Sequence, residues 1–145
     1  LLNGPNLNLL GSREPEVYGA TQLDDIEANC IELAEELGHT LDGYQSNAAH
    51  ELINRVQQPA KDGVDFVILH PGACTHTSIA IRDTFLAVDI PFIELHLSNT
   101  FAREEFRHNS YFSDIAVSCL FGFGAFGYDL ALLAASEYVV DAEEE

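Results

Sequence analysis

An acidic and a basic side chain are predicted to share one face of a short apolar strand in the middle of the chain. Glu94 and His96 are separated by a single residue, at the end of the apolar run 90–95. Because successive side chains of a β-strand alternate between its two faces, these two point the same way on a strand. A carboxylate beside an imidazole fixes the tautomer of the ring and raises its basicity. The spacing therefore predicts an acid–base pair.

A second candidate for proton transfer lies near the N-terminus, where Tyr18 follows Arg13 in the long polar segment 3–19. A phenol has a pKa of about 10, which must fall by roughly 3 units, or about 4 kcal/mol, before it acts as a base at neutral pH. A nearby guanidinium lowers the pKa of a phenol by favouring its charged form. Tyr18 is therefore a candidate base, and the length of its segment is typical of a lid.

The few basic side chains of the chain are concentrated after predicted strands. Of the six histidines, three follow two of the apolar runs, namely His70, His76 and His96. Of the six lysines and arginines, four lie in or just beyond such segments, namely Arg13, Arg82, Arg103 and Arg107. Titratable groups that cluster in this way favour a ligand site over separate structural roles.

Apolar segments that alternate with helical patterns indicate the fold that positions these residues. Strands are predicted at 66–69, 90–95 and 115–121, with weaker ones at 1–2 and 40–44. Helices are predicted at 49–58, 78–88 and 124–138, and from Thr21, with Asp24 as its capping partner, to a stop at Gly38. Only the interval between the strands at 90–95 and 115–121 lacks a predicted helix, and we interpret the pattern as the alternation βαβαβαβαβα. This alternation predicts an α/β fold with a parallel sheet and ligands bound at the carboxyl ends of its strands.

Length and composition fit one catalytic domain. The chain has 145 residues, of which 47% are hydrophobic, enough for a single α/β core. We assign residues 1–140 to this domain. The acidic segment 141–145 carries like charges without apolar anchors, and it is predicted to be a disordered tail.

Charge and cysteine content exclude several classes of partner. The 6 Lys+Arg against 24 Asp+Glu leave a net charge of −18, so binding to nucleic acid or to an anionic membrane would meet repulsion. No run of eighteen apolar residues occurs. The three cysteines form no C-x-x-C motif, which favours a reducing, cytoplasmic location. Neither G-x-G-x-x-G, a Walker motif nor the hydroxyl-rich phosphate loop of a flavodoxin is present, which disfavours nucleotide binding.

Motifs spread over nearly the whole chain resemble those of the type II 3-dehydroquinate dehydratases. They are N-G-P-N-L-N-L-L-G-x-R-E-P-x-x-Y-G at 3–19, Q-S-N at 45–47, T-H-T-S-x-A-x-R-D at 75–83, I-P-F-I-E-L-H-L-S-N at 90–99 and R-E-x-F-R-H-x-S-Y at 103–111. The resemblance implies a flavodoxin-like fold with a five-stranded parallel sheet. It also implies dehydration of 3-dehydroquinate to 3-dehydroshikimate by anti elimination through an enolate, without metal or cofactor, in the shikimate or quinate pathway.

The same resemblance implies catalytic roles for five residues of this sequence. Tyr18 would take the C2 proton, and Arg13 would lower the pKa of Tyr18. His96 would protonate the departing C1 hydroxyl while Glu94 holds its ring. Asn6 would hold the water that stabilises the enolate oxygen.

Further positions would bind the substrate. By resemblance, Leu97 and Ser98 contact its carboxylate, and His76 and Arg107 contact ring hydroxyls. Asp83 would reach the site from a neighbouring subunit, because the family assembles as trimers grouped into dodecamers.

Two positions depart from the family pattern. His70 stands where the family usually has a substrate-binding asparagine, and Cys74 stands where it usually has a larger side chain, often tyrosine. A neutral imidazole offers one donor and one acceptor, so His70 can replace the amide in binding substrate. With an ordinary pKa near 6.5, His70 is expected to titrate between about 6 and 7.

Three alternatives remain at the level of sequence. A metal-dependent hydrolase could use His70, His76 and His96, with Glu94, as zinc ligands. A noncatalytic relative, kept as a binding or assembly module, would account for His70 and Cys74. A nucleophile pair of Cys74 and His76 is the third.

Overall fold

The structure, a computed structural model, describes residues 1–12, 16, 21–58 and 62–144. One parallel sheet of five strands lies at its centre. In chain order the strands are β1 Leu2–Asn3, β2 Tyr44–Gln45, β3 Val67–His70, β4 Phe92–His96 and β5 Ser118–Phe121. Their order across the sheet is β2-β1-β3-β4-β5, and every neighbouring pair is parallel. This is the flavodoxin-like order, so the predicted α/β class with a five-stranded parallel sheet is confirmed.

Helices cover both faces of the sheet. The described part of the chain contains α1 Leu23–Glu36, α2 Ala49–Gln57, α3 Ile79–Val88 and α4 Phe126–Glu144. Alternate strand side chains point to opposite faces, and they divide the core accordingly. Ile68, Ile93 and Leu95 pack with α1 and α4. Leu69 and Phe92 pack on the other side with α2 and α3.

The ends of the helices follow local sequence, with one correction. α1 stops as predicted before Gly38, whose φ of +85° is a conformation that favours glycine. Its N-cap is Gln22, which makes no side-chain capping bond, so the predicted cap from Thr21 and Asp24 is wrong. α3 begins with a side-chain cap, because the Ser78 hydroxyl accepts a bond from the Ile81 amide at 3.0 Å.

The connection from β4 to β5 differs from the predicted alternation. Residues 97–117 contain no α-helix, and two short 3-10 helices, Thr100–Ala102 and Glu105–Arg107, take its place. The predicted strand at 115–121 begins only at Ser118. The amides of Ile115 and Ala116 instead bond the carbonyl of Phe112 at 3.0 Å, which closes a turn before the strand starts.

The last helix is longer than predicted. α4 continues through Glu144, whereas the sequence predicted a disordered segment from Asp141. Alanine and glutamate favour helix, and this preference extends α4 despite the like charges at its end. No helix in residues 1–12, 16, 21–58 and 62–144 is long and apolar enough to span a membrane.

Candidate active site

A cleft opens at the carboxyl ends of β1, β3 and β4, where ligands bind in sheets of this order. Eight of the residues that the sequence singled out line it. They are Asn6, His70, His76, His96, Leu97, Ser98, Arg103 and Arg107. The structure therefore brings together residues from three separate stretches of the chain.

Close backbone contacts shape the floor of this cleft. The amide of Gly4 donates to the carbonyl of His70 at 2.8 Å. A Cβ atom at Gly4 would lie 2.2 Å from the carbonyl oxygen of Pro71, so only glycine fits there. Asn6 follows with a φ of +70°, and its backbone N–H donates to Oδ1 of Asn47 at 2.9 Å. The Q-S-N motif at 45–47 thus holds the segment after β1 in place.

Glu94 and His96 form a buried hydrogen-bonded pair. The Nε2 atom of His96 lies 2.6 Å from Oε2 of Glu94, and Glu94 is fully buried. Two serine hydroxyls also donate to this carboxylate, from Ser110 at 2.9 Å and from Ser113 at 2.5 Å. The His96 ring stacks on Phe121 with centroids 5.3 Å apart. The orientation of the imidazole is therefore fixed from two sides.

The hydrogen bonds to Glu94 keep its carboxylate charged. Burial by itself raises the pKa of Glu94, but the bonds from His96, Ser113 and Ser110 outweigh burial and lower that pKa below its ordinary value. An ionised Glu94 accepts the Nε2–H of His96. The remaining ring nitrogen, Nδ1, is then the one that can exchange a proton with a molecule in the cleft.

His70 is buried beside His96 and belongs to a second hydrogen-bonded chain. Its Nδ1 lies 2.7 Å from the Tyr128 hydroxyl, and that hydroxyl donates to Oδ1 of Asn3 at 2.7 Å. The His70 and His96 rings meet edge to face with centroids 6.0 Å apart. Burial, and secondarily the neighbouring His96, lower the pKa of His70 to about 3. The expected titration between about 6 and 7 is therefore wrong, and His70 is neutral near pH 7.

Polar groups complete the rim of the cleft. The carbonyl of Asn109 lies 2.7 Å from Nδ1 of His76, which directs this ring as well. Arg107 forms an ion pair with Glu104, and Nη1 of Arg103 lies 3.4 Å from the Ser98 hydroxyl. Two guanidinium groups thus stand at the cleft of a chain whose net charge is −18, which suits a small anionic ligand.

Some predicted residues lie elsewhere. Asp83 is exposed on α3 and does not line the cleft. Arg82 does not line the cleft either, and it pairs with both carboxylate oxygens of Asp114, at 2.5 and 2.9 Å. The predictions for Arg13 and Tyr18 concern positions outside the described residues.

Two of the alternatives from the sequence find no support in this geometry. Within the residues that the structure describes, no three His, Cys, Asp or Glu side chains are grouped so that they could hold a metal ion. A nucleophilic Cys74 would need a lowered thiol pKa, yet burial raises the pKa of Cys74.

Several residues of the site escaped the sequence analysis. Ser110 and Ser113 bond Glu94. Tyr128 bonds His70, and Asn3 accepts a bond from Tyr128. No spacing rule marks a serine or a tyrosine that contacts a residue on a distant strand. Asn3 and Ser110 do lie within the quoted motifs, which was the one available signal for them.

These features define an α/β protein with an acid–base site at the carboxyl edge of a flavodoxin-like sheet. A family model, Dehydroquinase class II, matches residues 1–136. The chain belongs to the class II dehydroquinase family.

Curated relatives and a solved structure agree with this membership. The chain is 60% identical over 135 residues to a 3-dehydroquinate dehydratase of Hahella chejuensis, covering 93% of this chain and 92% of that protein. It is 54% identical over 136 residues to a catabolic 3-dehydroquinase of Talaromyces marneffei, covering 94% and 77%. The crystal structure of a type II dehydroquinase from Propionibacterium acnes superposes with a TM-score of 0.89 at 41% identity, covering 94% and 93%.

Proposed function

We propose that this cleft removes water from 3-dehydroquinate and yields 3-dehydroshikimate. The relatives named above are dehydratases of 3-dehydroquinate, and their similarity extends over nearly the whole chain. The observation that carries the proposal is the 2.6 Å bond between His96 and the buried carboxylate of Glu94, in a cleft with arginines at its rim. Such a pair can deliver a proton to a leaving hydroxyl.

The elimination proceeds in two proton transfers. Tyr18, as phenolate, takes the proton from C2, and the electrons of the broken C–H bond form an enolate with the C3 carbonyl. A water held by Asn6 stabilises the enolate oxygen. The enolate then collapses to a double bond between C1 and C2, the C1–O bond breaks, and His96 protonates the departing hydroxyl so that it leaves as water.

The roles of Tyr18 and Arg13 rest on the motif at 3–19. A phenol is a weak base near neutral pH unless a positive charge favours its ionised form. Arg13 supplies that charge in this proposal.

Binding of the substrate uses the remaining residues of the cleft. Leu97 and Ser98 hold the carboxylate, and Arg103 donates to the Ser98 hydroxyl. His76 and Arg107 contact ring hydroxyls, and His70 takes the position of the family's asparagine. Every one of these side chains lines the same cleft.

Assembly and location form the last part of the proposal. We propose trimers grouped into a dodecamer in the cytoplasm, with Asp83 of one subunit at the site of its neighbour. Large exposed aromatic side chains support an assembly, because apolar surface of this kind is commonly covered where subunits meet. They include Phe101, Phe106, Phe123 and Phe126, which are 59%, 66%, 53% and 58% exposed.

The test is direct turnover. Purified protein is mixed with 3-dehydroquinate in excess EDTA, and the conjugated enone product is followed by ultraviolet absorbance. We expect turnover at a rate that added zinc does not change. Absence of product would favour the noncatalytic relative, and turnover only after zinc is restored would favour the metal-dependent hydrolase.

A further inference from the structure

We infer that Tyr128 and Asn3 are positioning residues that make His70 a hydrogen-bond acceptor toward the cleft, so that it selects a ring hydroxyl of the substrate. This inference rests on the proposed function and adds a determinant of specificity to it.

The direction of the bonds follows from counting hydrogens. The Tyr128 hydroxyl carries one hydrogen, and it donates this hydrogen to Oδ1 of Asn3 at 2.7 Å. The same hydroxyl lies 2.7 Å from Nδ1 of His70. Because its hydrogen is already used, it accepts there, and Nδ1 of His70 must carry the proton.

Burial makes this arrangement stable. Tyr128 is completely buried, while Asn3 and His70 are 1% and 3% exposed. Burial raises the pKa of Tyr128 well above its ordinary value, so the phenol keeps its hydrogen. The low pKa of His70 means that its ring carries one proton, not two, near pH 7.

A neutral imidazole with its proton on Nδ1 has a lone pair on Nε2. Since His70 lines the cleft, Nε2 is the nitrogen that a bound molecule meets there, and it can only accept. A substrate hydroxyl can donate a hydrogen bond to this lone pair. A carbonyl or ether oxygen at the same place has no hydrogen to donate, and it would leave the lone pair of Nε2 without a partner. A site built to pair with a hydroxyl rejects analogues that lack it.

The hydrogen bonds from Asn3 through Tyr128 to His70 also explain how a histidine is tolerated beside His96. The two ring centroids are 6.0 Å apart, so a second positive charge on His70 would oppose protonation of His96. A neutral His70 avoids this repulsion while keeping the acceptor that the family's asparagine carbonyl would offer.

The first arm of the test reads the tautomer of ligand-free protein. Nitrogen-15 NMR of labelled histidine distinguishes a protonated ring nitrogen from a bare one. We expect His70 to carry its proton on Nδ1 in the wild type. In Asn3→Leu, the Tyr128 hydroxyl loses its acceptor and turns to donate to His70, so the proton moves to Nε2. A wild-type His70 protonated on Nε2 would overturn the inference.

The second arm is a double-variant cycle on turnover. We expect Tyr128→Phe to lower kcat/KM about fivefold to tenfold, mainly through KM, roughly the effect of one hydrogen bond. In a His70→Asn background the same change should cost less than about twofold, because an amide has no tautomer to fix. Equal losses in both backgrounds would mean that Tyr128 acts only by packing, and would overturn the inference.

The two arms separate this inference from the proposed function. If the wild type does not turn over 3-dehydroquinate, the proposed function fails, but the NMR arm still decides the direction of the hydrogen bonds. If turnover is normal and the proton lies on Nε2 of His70, the inference fails and the function stands.

Discussion

The Ser113 hydroxyl donates to Glu94 from a turn nineteen residues further along the chain, at 2.5 Å. Together with the bond from His96, it keeps the pKa of Glu94 below its ordinary value although burial acts to raise that pKa. Glu94 therefore stays ionised and can hold the Nε2–H of His96 as pH falls.

Ser113→Ala should shift the acid limb of the pH profile. Loss of this donor raises the pKa of Glu94, so the carboxylate is protonated at a higher pH and activity is lost earlier as pH falls. We expect the acid limb of kcat/KM to move up by about one pH unit, the effect of losing roughly 1.5 kcal/mol from a bond to a charged group. Ser136→Ala is the matched control, because Ser136 bonds His39 at the other end of the sheet. An unmoved limb in Ser113→Ala would contradict the role given to this serine.

Tyr18→Phe should remove most of kcat while leaving the fold intact. The change deletes only the phenol oxygen, and general bases contribute about 100-fold to 10,000-fold to rate. We expect a loss of at least about 100-fold in kcat at unchanged thermal stability. Tyr138→Phe provides the comparison, since Tyr138 is 42% exposed and packs on Phe66. Near-normal kcat in Tyr18→Phe would reject the assigned base. Arg13→Ala should also remove most of kcat, and near-normal kcat in that variant would reject Arg13 as the group that lowers the pKa of Tyr18.

The buried His70 should make stability depend on pH. Its pKa is about 3 in the folded protein and near 6.5 when unfolded. Between these values the unfolded chain binds a proton that the folded chain does not, so the free energy of unfolding falls as pH falls, by about 1.4 kcal/mol per pH unit. In urea unfolding at pH 7, 6, 5 and 4, at one protein concentration, the wild type should lose stability more steeply than His70→Asn, with this slope as the difference between them. Parallel curves for the two proteins would contradict the neutral state of His70.

Low ionic strength should weaken the proposed oligomer. Each subunit carries a net charge of −18, and repulsion between exposed charges extends over about 30 Å at 0.01 M salt but only about 8 Å at 0.15 M. Subunits packed together therefore repel more strongly at low salt. We expect light scattering to show a smaller species, or a lower midpoint of dissociation, at 0.01 M salt. One size at every salt concentration would mean that the interfaces neutralise this repulsion.

Local patterns were sufficient to predict most of the sheet and its helices. Apolar runs and helical spacing are properties of neighbouring residues, so α1 and the buried strands could be read directly. The segment between β4 and β5 could not be predicted in this way, because its 3-10 helices are too short to show a helical periodicity of apolar residues. The predicted start of β5 failed at Ile115 for a related reason: an apolar residue in a turn resembles one in a strand.

The site was predictable where its residues are close in sequence and was missed where they are distant. Glu94 and His96 are two residues apart, and strand geometry alone pairs them. His70 and Tyr128 are 58 positions apart, and only the packing of α4 against the sheet brings them together. The pKa of His70 depends on its burial, which an isolated histidine in a sequence does not reveal.

The turnover of His96→Ala against the wild type tests the central claim most directly. Both proteins are given 3-dehydroquinate in EDTA, and kcat is taken from the rise in enone absorbance. We expect the wild type to turn over and His96→Ala to lose at least about 100-fold in kcat, because hydroxide leaves poorly without a proton donor. His50→Ala, at an exposed histidine on α2, should match the wild type. Near-normal kcat in His96→Ala would contradict the account.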